Sequence, residues 1–406
     1  MQTAVTDRSY RALLGLPSLW RVLLGMQIAR IGQSMIGIAI VLFTLEYYRS
    51  PALAGIVTFI SIFPGLLASP IAGALLDRHG RARLVVLDYL VALAALVLIG
   101  ALAMEHALPA WLLVVIAACA SLTNPLSNTG LRSLFPLLVP RHLWERVNAV
   151  DSNGYVLATV IGPPLAGLMV ELWGGAPAIA AIGCVFGLAA LVLLRIPDPK
   201  GDVVSTGRLL FDAWQGLRYV AGNPTLLALG VSISLLNLGS GVITIVVPLI
   251  VLDRLHAGAA AVGAVFAVQG LCGVAAAFYA GRLDTLGRER RMLAATMLVS
   301  AVALLLLLPV ASLPVVALSL GLVGLANGPA DIALFTLRQR RTDFAWMGRA
   351  FAVSMSLNFV GFPIGSALAG GLAGISIEVA VLFGVAASLA AAVAAWVMIP
   401  AVDDAG

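Results

Sequence analysis

Apolar residues in this chain run in long uninterrupted stretches, and polar residues fall between them. Each stretch approaches the roughly 20 residues a helix needs to cross the hydrocarbon of a bilayer. Twelve are present, near 20–46, 53–76, 84–104, 109–134, 147–171, 175–195, 225–251, 259–281, 292–310, 313–337, 349–373 and 377–399. They are too long for membrane strands, and apolar and polar positions do not alternate along them. The pattern predicts an all-α membrane protein of twelve spans.

The longest polar interruption, 196–224, divides six spans from six. It implies an N-terminal six-helix bundle over 1–195, a linker over 196–224 and a C-terminal six-helix bundle over 225–406. Within the linker Leu210, Trp214, Leu217 and Ala221 recur at helical spacing against Arg208, Asp212, Gln215 and Arg218. That alternation predicts an amphipathic helix lying on the membrane surface and tethering the two bundles.

The two sets of spans echo each other. The loop after span two reads GALLDRHGRAR (73–83), and the loop after span eight reads AGRLDTLGRER (280–290). Asp77, Gly80, Arg81 and Arg83 recur as Asp284, Gly287, Arg288 and Arg290, each 207 positions later. At an offset of 203, Arg146, Ala149, Gly162 and Gly167 of span five meet Arg349, Ala352, Gly365 and Gly370 of span eleven. Repeats of six spans keep the same orientation, so they are parallel and related by an axis along the membrane normal.

Composition agrees with lipid as the solvent: 61% of residues are hydrophobic and only 11% charged, with mean hydropathy +1.05, where a soluble domain carries about 25% charged residues. The net charge of +5 does not indicate nucleic acid, because the arginines lie between apolar runs. With a cytoplasmic N-terminus, the outer loops and their flanks hold two basic residues, Arg49 and Arg254, while Glu46, Glu105, Glu171, Asp253 and Glu378 stand at outer ends. Basic residues collect in cytoplasmic loops, so both termini are expected in the cytoplasm of a multi-pass protein of the cell inner membrane. The N-terminus shows no cleavage site and reads as a retained tail. Cys119, Cys184 and Cys272 lie in separate apolar runs and are expected as small buried hydrophobes.

Twelve spans as six plus six, with GALLDRHGRAR after span two, resemble the major facilitator superfamily. Its signature there is Gly-x-Leu-Ala-Asp-Arg-x-Gly-Arg-Lys; Gly73, Leu75, Asp77, Arg78, Gly80 and Arg81 match, while Leu76 and Ala82 depart. Ala158, Gly162, Pro163, Ala166 and Gly167 resemble the antiporter motif of span five, Gly-x-x-x-Gly-Pro-x-x-Gly-Gly, with two glycines replaced by alanine. The run LFPLLVPRHLWERVNAVDSNGYVLATVIGPPLAG resembles the exporter branch that includes macrolide efflux and enterobactin export proteins. The resemblance implies alternating access, with spans one, four, seven and ten lining a central cavity.

The charged loops then acquire a reading. The first N–H groups of a helix lack helix partners and carry roughly half a positive charge. Asp77 is placed to sit against the start of span eleven and Arg349, and by the repeat Asp284 against the start of span five and Arg146. These are two breakable latches across the boundary between halves. Gly80 and Gly287 permit the tight turns, and the remaining arginines meet lipid headgroups. Gly162, Pro163 and Pro164 are expected to break the ladder of span five, and Gly167 to admit a close neighbour.

Ionisable groups within a span mark function. Arg30 lies roughly 13 Å inside span one and Asp331 roughly 10 Å inside span ten. They are expected to pair or compete across the cavity, with Asp331 taking a proton or a cationic substrate. Gln27, Gln33, Asn124, Asn128, Asn237, Asn327 and Asn358 are further cavity candidates, equally suited to joining helices. Arg132, at the end of span four, is expected in the cytoplasmic gate with Asp151 as partner. An apolar cavity with few charges suits bulky amphipathic compounds.

No phosphate-binding Gly-x-x-x-x-Gly-Lys-Ser/Thr occurs, and the one lysine is Lys200. The four histidines, His79, His106, His142 and His256, fall in or beside loops, and no catalytic or metal constellation is visible. The expectation is a cofactor-free, non-enzymatic, monomeric transporter: a proton-coupled exporter of hydrophobic small molecules, in contact with lipid and with no nucleic-acid partner. The alternatives are a dedicated exporter of one metabolite, such as a siderophore or sugar, and a transport-inactive scaffold or receptor.

Overall fold

The computed structural model describes residues 9–194, 196, 209–282, 285–308, 312–343 and 346–400; within these the side chains of several residues, Asp77, Glu145 and Arg349 among them, lie outside the description. Most of the described residues are helical, and none of them is in a strand. In chain order the helices are α1 (Tyr10–Leu14), α2 (Leu19–Tyr48), α3 (Pro51–Ile60), α4 (Phe63–His79), α5 (Arg81–Met104), α6 (Ala110–Gly130), α7 (Phe135–Leu138), α8 (Trp144–Trp173), α9 (Gly175–Leu193), α10 (Leu209–Gly222), α11 (Pro224–Leu249), α12 (Ala259–Ala280), α13 (Glu289–Leu305), α14 (Leu313–Arg340), α15 (Met347–Ala373) and α16 (Ile377–Met398).

Among the described residues, eleven helical segments are long and apolar enough to cross a membrane. The remaining expected span, near 292–310, corresponds to α13, with 17 helical residues. Sequence periodicity did not foresee two local features. Span two is divided at Ser61 and Ile62, where Pro64 occupies the first turn of α4 and withholds an N–H. Span seven ends in a π-turn over Ile250–Arg254, two residues past Pro248. Span five departs from expectation in the other direction: α8 stays one helix through Pro163 and Pro164. Gly80 (φ 95°) and Gly287 (φ 70°) occupy the corresponding turns of the two repeats in left-handed backbone, which glycine adopts without a Cβ clash.

The first six spans pack on one another, as do the last six; the two sets meet mainly where α8 crosses α12 and α3 crosses α15. At both crossings glycines bring the backbones together. A Cβ on Gly263 of α12 would lie 2.8 Å from Pro164 Cα of α8, and a Cβ on Gly370 of α15 would lie 2.9 Å from Gly55 Cα of α3. Gly167 likewise faces the Ala259 carbonyl, as Gly370 faces that of Pro51. Small residues let helices approach this closely in lipid, where packing rather than water drives association. Gly162 serves a different neighbour: its Cβ would meet Ser34 of α2 at 2.5 Å.

The two ends of the bundle differ. At the end away from the start of α2, residues Ile38–Leu45 of α2 and Gly241–Leu249 of α11 are buried on every side, which marks a helix segment enclosed by protein. One apolar core there draws on both sets of spans: Val41, Phe43 and Ala166 join Val246, Val262 and Ala369. Toward the other end the smaller cores stay within one set: Ala72, Leu76 and Leu126 in the first, Leu229, Leu293, Ala333 and Ala391 in the second. Among the described residues, the core shared by both sets lies at this distal end, and toward the end from which α2, α8 and α15 start the cores stay within one set.

α10 lies within the segment 196–224. Val220 is fully buried, while Trp214 and Leu217 point outward. Tyr219 stacks on Trp346 at 5.0 Å and its hydroxyl accepts from Asp343 N at 3.0 Å, docking α10 on the loop before α15. Cys119 and Cys184 are exposed on the helix surface rather than buried, and Cys272 is intermediate. Their small size lets them stand on the outer face of an apolar span as readily as inside it.

Candidate functional site

The site is built from α2, α8 and the turn that follows α6. α6 ends at Gly130, and a single 3-10 turn over Arg132–Leu134 swings Arg132 toward α8. Asp151, one to two turns into α8, receives it: Arg132 Nε donates to Asp151 Oδ2 at 3.0 Å, with Nη2 at 2.9 Å. Arg30 of α2 takes the other carboxylate oxygen through Nη2 and donates from Nη1 to the Asp151 carbonyl at 2.8 Å. The expected pairing of Asp151 with Arg132 is present. The expected pairing of Arg30 with Asp331 is not, because Asp151 is on a helix packed directly against α2 and captures Arg30 first. Asp151 is 6% exposed, and a buried carboxylate held by two guanidiniums has its charge and its lone pairs satisfied together.

One turn further along α8, Tyr155 lies under both arginines, with guanidinium carbons 3.9 Å (Arg30) and 4.8 Å (Arg132) from its ring centre. Gln27 Nε2 donates to the Gly154 carbonyl at 3.1 Å, a helix-to-helix tie. Above this knot is a cavity of about 240 Å³, lined by Arg30, Gln33, Ser34, Tyr89, Ser127, Asn128, Tyr155 and Thr159. Asn124, which is not among the lining residues, accepts from Asn128 Nδ2 at 2.6 Å.

A second space, about 360 Å³, lies where α8 faces α12 and α14. Asp331, Asn327, Gln269 and Phe266 line it, and Tyr155 and Thr159 of α8 form its opposite wall. Asp331 is thus in a crevice at the boundary between the halves, opposite the same tyrosine that covers Arg30.

The second half carries a modified copy of the knot. At the offsets of the repeat, Arg30, Asp151 and Tyr155 correspond to Asn237, Ser354 and Asn358. Asn237 Nδ2 donates to the Asn358 carbonyl at 2.9 Å. With its amide nitrogen donating to the Ser354 carbonyl, Asn358 presents its oxygen to Arg338 Nη2. Arg338 is fully buried, and Nη1 approaches Met355 Sδ at 2.9 Å. Asn237 and Asn358 therefore join helices rather than line either space.

The loop residues are partly visible. Arg81 Nη1 donates to the Ser133 carbonyl at 3.3 Å, tying the first charged loop to the turn that carries Arg132. Arg78 and Arg288 are exposed, and Arg146 stands over the Tyr10 ring at 5.6 Å. The expected latches, Asp77 with Arg349 and Asp284 with Arg146, fall on side chains outside the described residues, as does the environment of Gly73.

Sequence reasoning passed over several polar groups. Asp88 is 5% exposed on α5, against Thr123 and Ser127 of α6. Tyr155 and Gln269 read as ordinary span residues. Glu171, taken only as a charge at a span end, accepts from Ala260 N at 2.7 Å and so caps α12 from across the boundary. The repeat offers the one signal for it: its counterpart at offset 203 is Gly374, so the two crossings differ at this point.

The comparisons with known proteins agree with this architecture. The family model described as Major Facilitator Superfamily matches residues 22–237 and 229–405. The chain is 36% identical over 371 residues to an MFS-type transporter, y4rN, of Sinorhizobium fredii, covering 89% of this chain and 90% of that protein. It is 28% identical over 358 residues to the multidrug efflux pump Tap of Mycobacterium tuberculosis, covering 83% of each. It is 25% identical over 211 residues to macrolide efflux protein A of Streptococcus pyogenes, covering 50% and 51%. Among solved structures, a point-mutant form of the nucleoside transporter NupG superposes with a TM-score of 0.76 at 11% identity, covering 93% of this chain and 100% of that one. A bacterial homologue of the human lysosomal transporter Spinster, in an inward-facing and unoccupied conformation, gives 0.67 at 14% identity, covering 97% and 96%.

Proposed function

The chain belongs to the major facilitator superfamily, and from that premise we propose that it is a secondary active exporter that moves hydrophobic or amphipathic small molecules by alternating access in exchange for protons. The observation that carries the reading is a core drawn from both halves at one end of the bundle, while the smaller described cores at the other end each stay within one half. Such a bundle has a second state within reach, in which the contacts at the ends exchange. The glycine crossings of α8 with α12 and α3 with α15 are the axes about which the halves rock.

Within this reading the cavities take the substrate. Their walls are mostly apolar, with Arg30, Gln33 and Asn128 on one side and Asp331, Asn327 and Gln269 on the other. Asp331 is the exchangeable carboxylate, taking either a proton or the positive group of a substrate. Asp151, clamped by two arginines, is a fixed anion that holds α2, α6 and α8 in register. The paired loops with Asp77 and Asp284 hold the opposite state closed, on the cytoplasmic side of the inner membrane, where both termini lie. Export rather than uptake is supported by the similarity to Tap and macrolide efflux protein A.

The test uses inside-out membrane vesicles with an acid interior, reported by a quenched dye. Cationic dyes and macrolides are added singly. Dequenching that requires the protein and is lost in Asp331→Asn supports proton-coupled efflux and identifies the substrate class. Full transport and unchanged pH dependence in Asp331→Asn removes the assigned role. Silence across the panel from correctly inserted protein favours a dedicated metabolite exporter instead.

A further inference from the structure

Tyr155 stands in the wall of both spaces. It lines the cavity beside Arg30 and also the crevice beside Asp331, together with Thr159 one turn away. The first space, about 240 Å³, falls below the roughly 300–1,000 Å³ that small-molecule sites occupy, and the second, about 360 Å³, lies near the lower limit. The two spaces share the wall formed by Tyr155 and Thr159, and their other linings differ chemically. One offers donors from Arg30, Gln33 and Asn128; the other offers the Asp331 carboxylate with Asn327 and Gln269.

The tyrosine is held for this position. The guanidiniums of Arg30 and Arg132 lie 3.9 and 4.8 Å from its ring centre, and both are fixed in turn by Asp151. A ring locked by neighbours is pre-organised, so binding against it orders little that was not already ordered. Yet 42% of Tyr155 remains exposed, and its hydroxyl has no hydrogen-bond partner among the described residues. The corresponding residue of the second half, Asn358, is 2% exposed and committed to packing. At this position the platform has no aromatic counterpart in the second half, where Arg338 instead lies 5.6 and 5.3 Å from the rings of Phe335 and Phe351.

We propose that Tyr155 is the specificity-determining residue of a two-ended site that takes a planar aromatic compound bearing a positive group: the cation toward Asp331, the flat ring against Tyr155, and a hydrogen-bond acceptor toward Arg30 and Asn128. The proposal deepens the export reading and rests on it for its meaning in the cell, but binding tests it independently. Ethidium supplies the planar cation, and tetraethylammonium supplies the charge without the ring.

Equilibrium binding of ethidium to the purified full-length protein in detergent, followed by fluorescence anisotropy, gives the first readout. Tyr155→Ala weakens ethidium about tenfold or more, as expected for loss of an aromatic and cation–π surface, whereas Tyr155→Phe stays within about twofold. The tetraethylammonium inhibition constant, obtained from displacement after correction for each variant's ethidium affinity, is the same in wild type and Tyr155→Ala. Tyr155→Leu retains the bulk that supports Arg30 and Arg132, and it should weaken ethidium as the alanine does even if the alanine variant fails to fold. Equal ethidium affinity in wild type and Tyr155→Leu overturns the proposal, as does an equal loss of tetraethylammonium. If wild type binds ethidium with this Tyr155 dependence but the vesicles show no transport, the export reading fails and the site stands.

Discussion

Arg132 and Asp151 meet at two points, Nε and Nη2 of the arginine against Oδ2 at 3.0 and 2.9 Å, while Arg30 holds the other oxygen. The three side chains come from α2, the turn after α6, and α8, so one carboxylate fixes the mutual position of three elements. The two arginines differ in environment: Arg30 is 13% exposed and Arg132 is 50% exposed.

That difference predicts unequal damage. Asp151→Asn leaves two guanidiniums facing each other without an anion, and removing one partner of a buried pair costs about 3–5 kcal/mol. Arg30→Gln approaches that loss, whereas Arg132→Gln stays near 1 kcal/mol, because its charge is half in water. Thermal unfolding in detergent should rank the variants Asp151→Asn and Arg30→Gln well below Arg132→Gln. The opposite ranking would show that Arg30 is not the buried anchor.

The glycine crossings predict a positional contrast. Gly263→Val forces atoms onto Pro163 and Pro164, and Gly55→Val onto Ser366 and Gly370, overpacking of the kind that costs about 1–3 kcal/mol. Both should abolish transport while membrane insertion persists. Gly371, one residue from Gly370, meets nothing within 4 Å of a built Cβ, and Gly371→Ala should transport normally in the same vesicles. Equal transport by Gly263→Val would show that the crossing tolerates separation.

Glu171 predicts an asymmetry at the distal end. Its carboxylate caps the first turn of α12 from α8, an interaction worth about 0.5–2 kcal/mol as a cap. Glu171→Gln should let the halves part there more often, seen as a longer component in the distance distribution between spin labels at Arg49 and His256. Glu46→Gln is the control. Glu46 accepts from Gly175 N at 2.9 Å, a cap within one half, so its loss should leave that distribution unchanged.

Asp331 predicts a pH signature. If its carboxylate exchanges a proton for substrate, transport by wild type falls as the compartment supplying protons is made alkaline, and Asp331→Asn shows a low, flat profile over the same range. Initial rates at several pH values decide it: a variant profile parallel to wild type would move the coupling to another carboxylate, with Asp88 next in line because it is buried on α5 beside the cavity wall.

Twelve spans, the division into two sets of six and the correspondence of the two charged loops were legible along the chain, because each depends on quantities that residues carry individually or at fixed offsets. Apolar run length answers to bilayer thickness, and the repeat of Asp77, Gly80 and Arg81 as Asp284, Gly287 and Arg288 needs only comparison of positions. Which side chains meet does not follow from such quantities. Depth placed Arg30 level with Asp331, but rotation about the helix axes and the packing of α2 on α8 brought it to Asp151 instead. Tyr155 looks like any aromatic in a span until two arginines from other helices cover it. Glu171 looks like a charge at a membrane surface until α12 starts beneath it. Hydrophobicity determines that helices span, whereas their crossings, set by contacts as close as Gly263 against Pro164, decide which polar groups share a site.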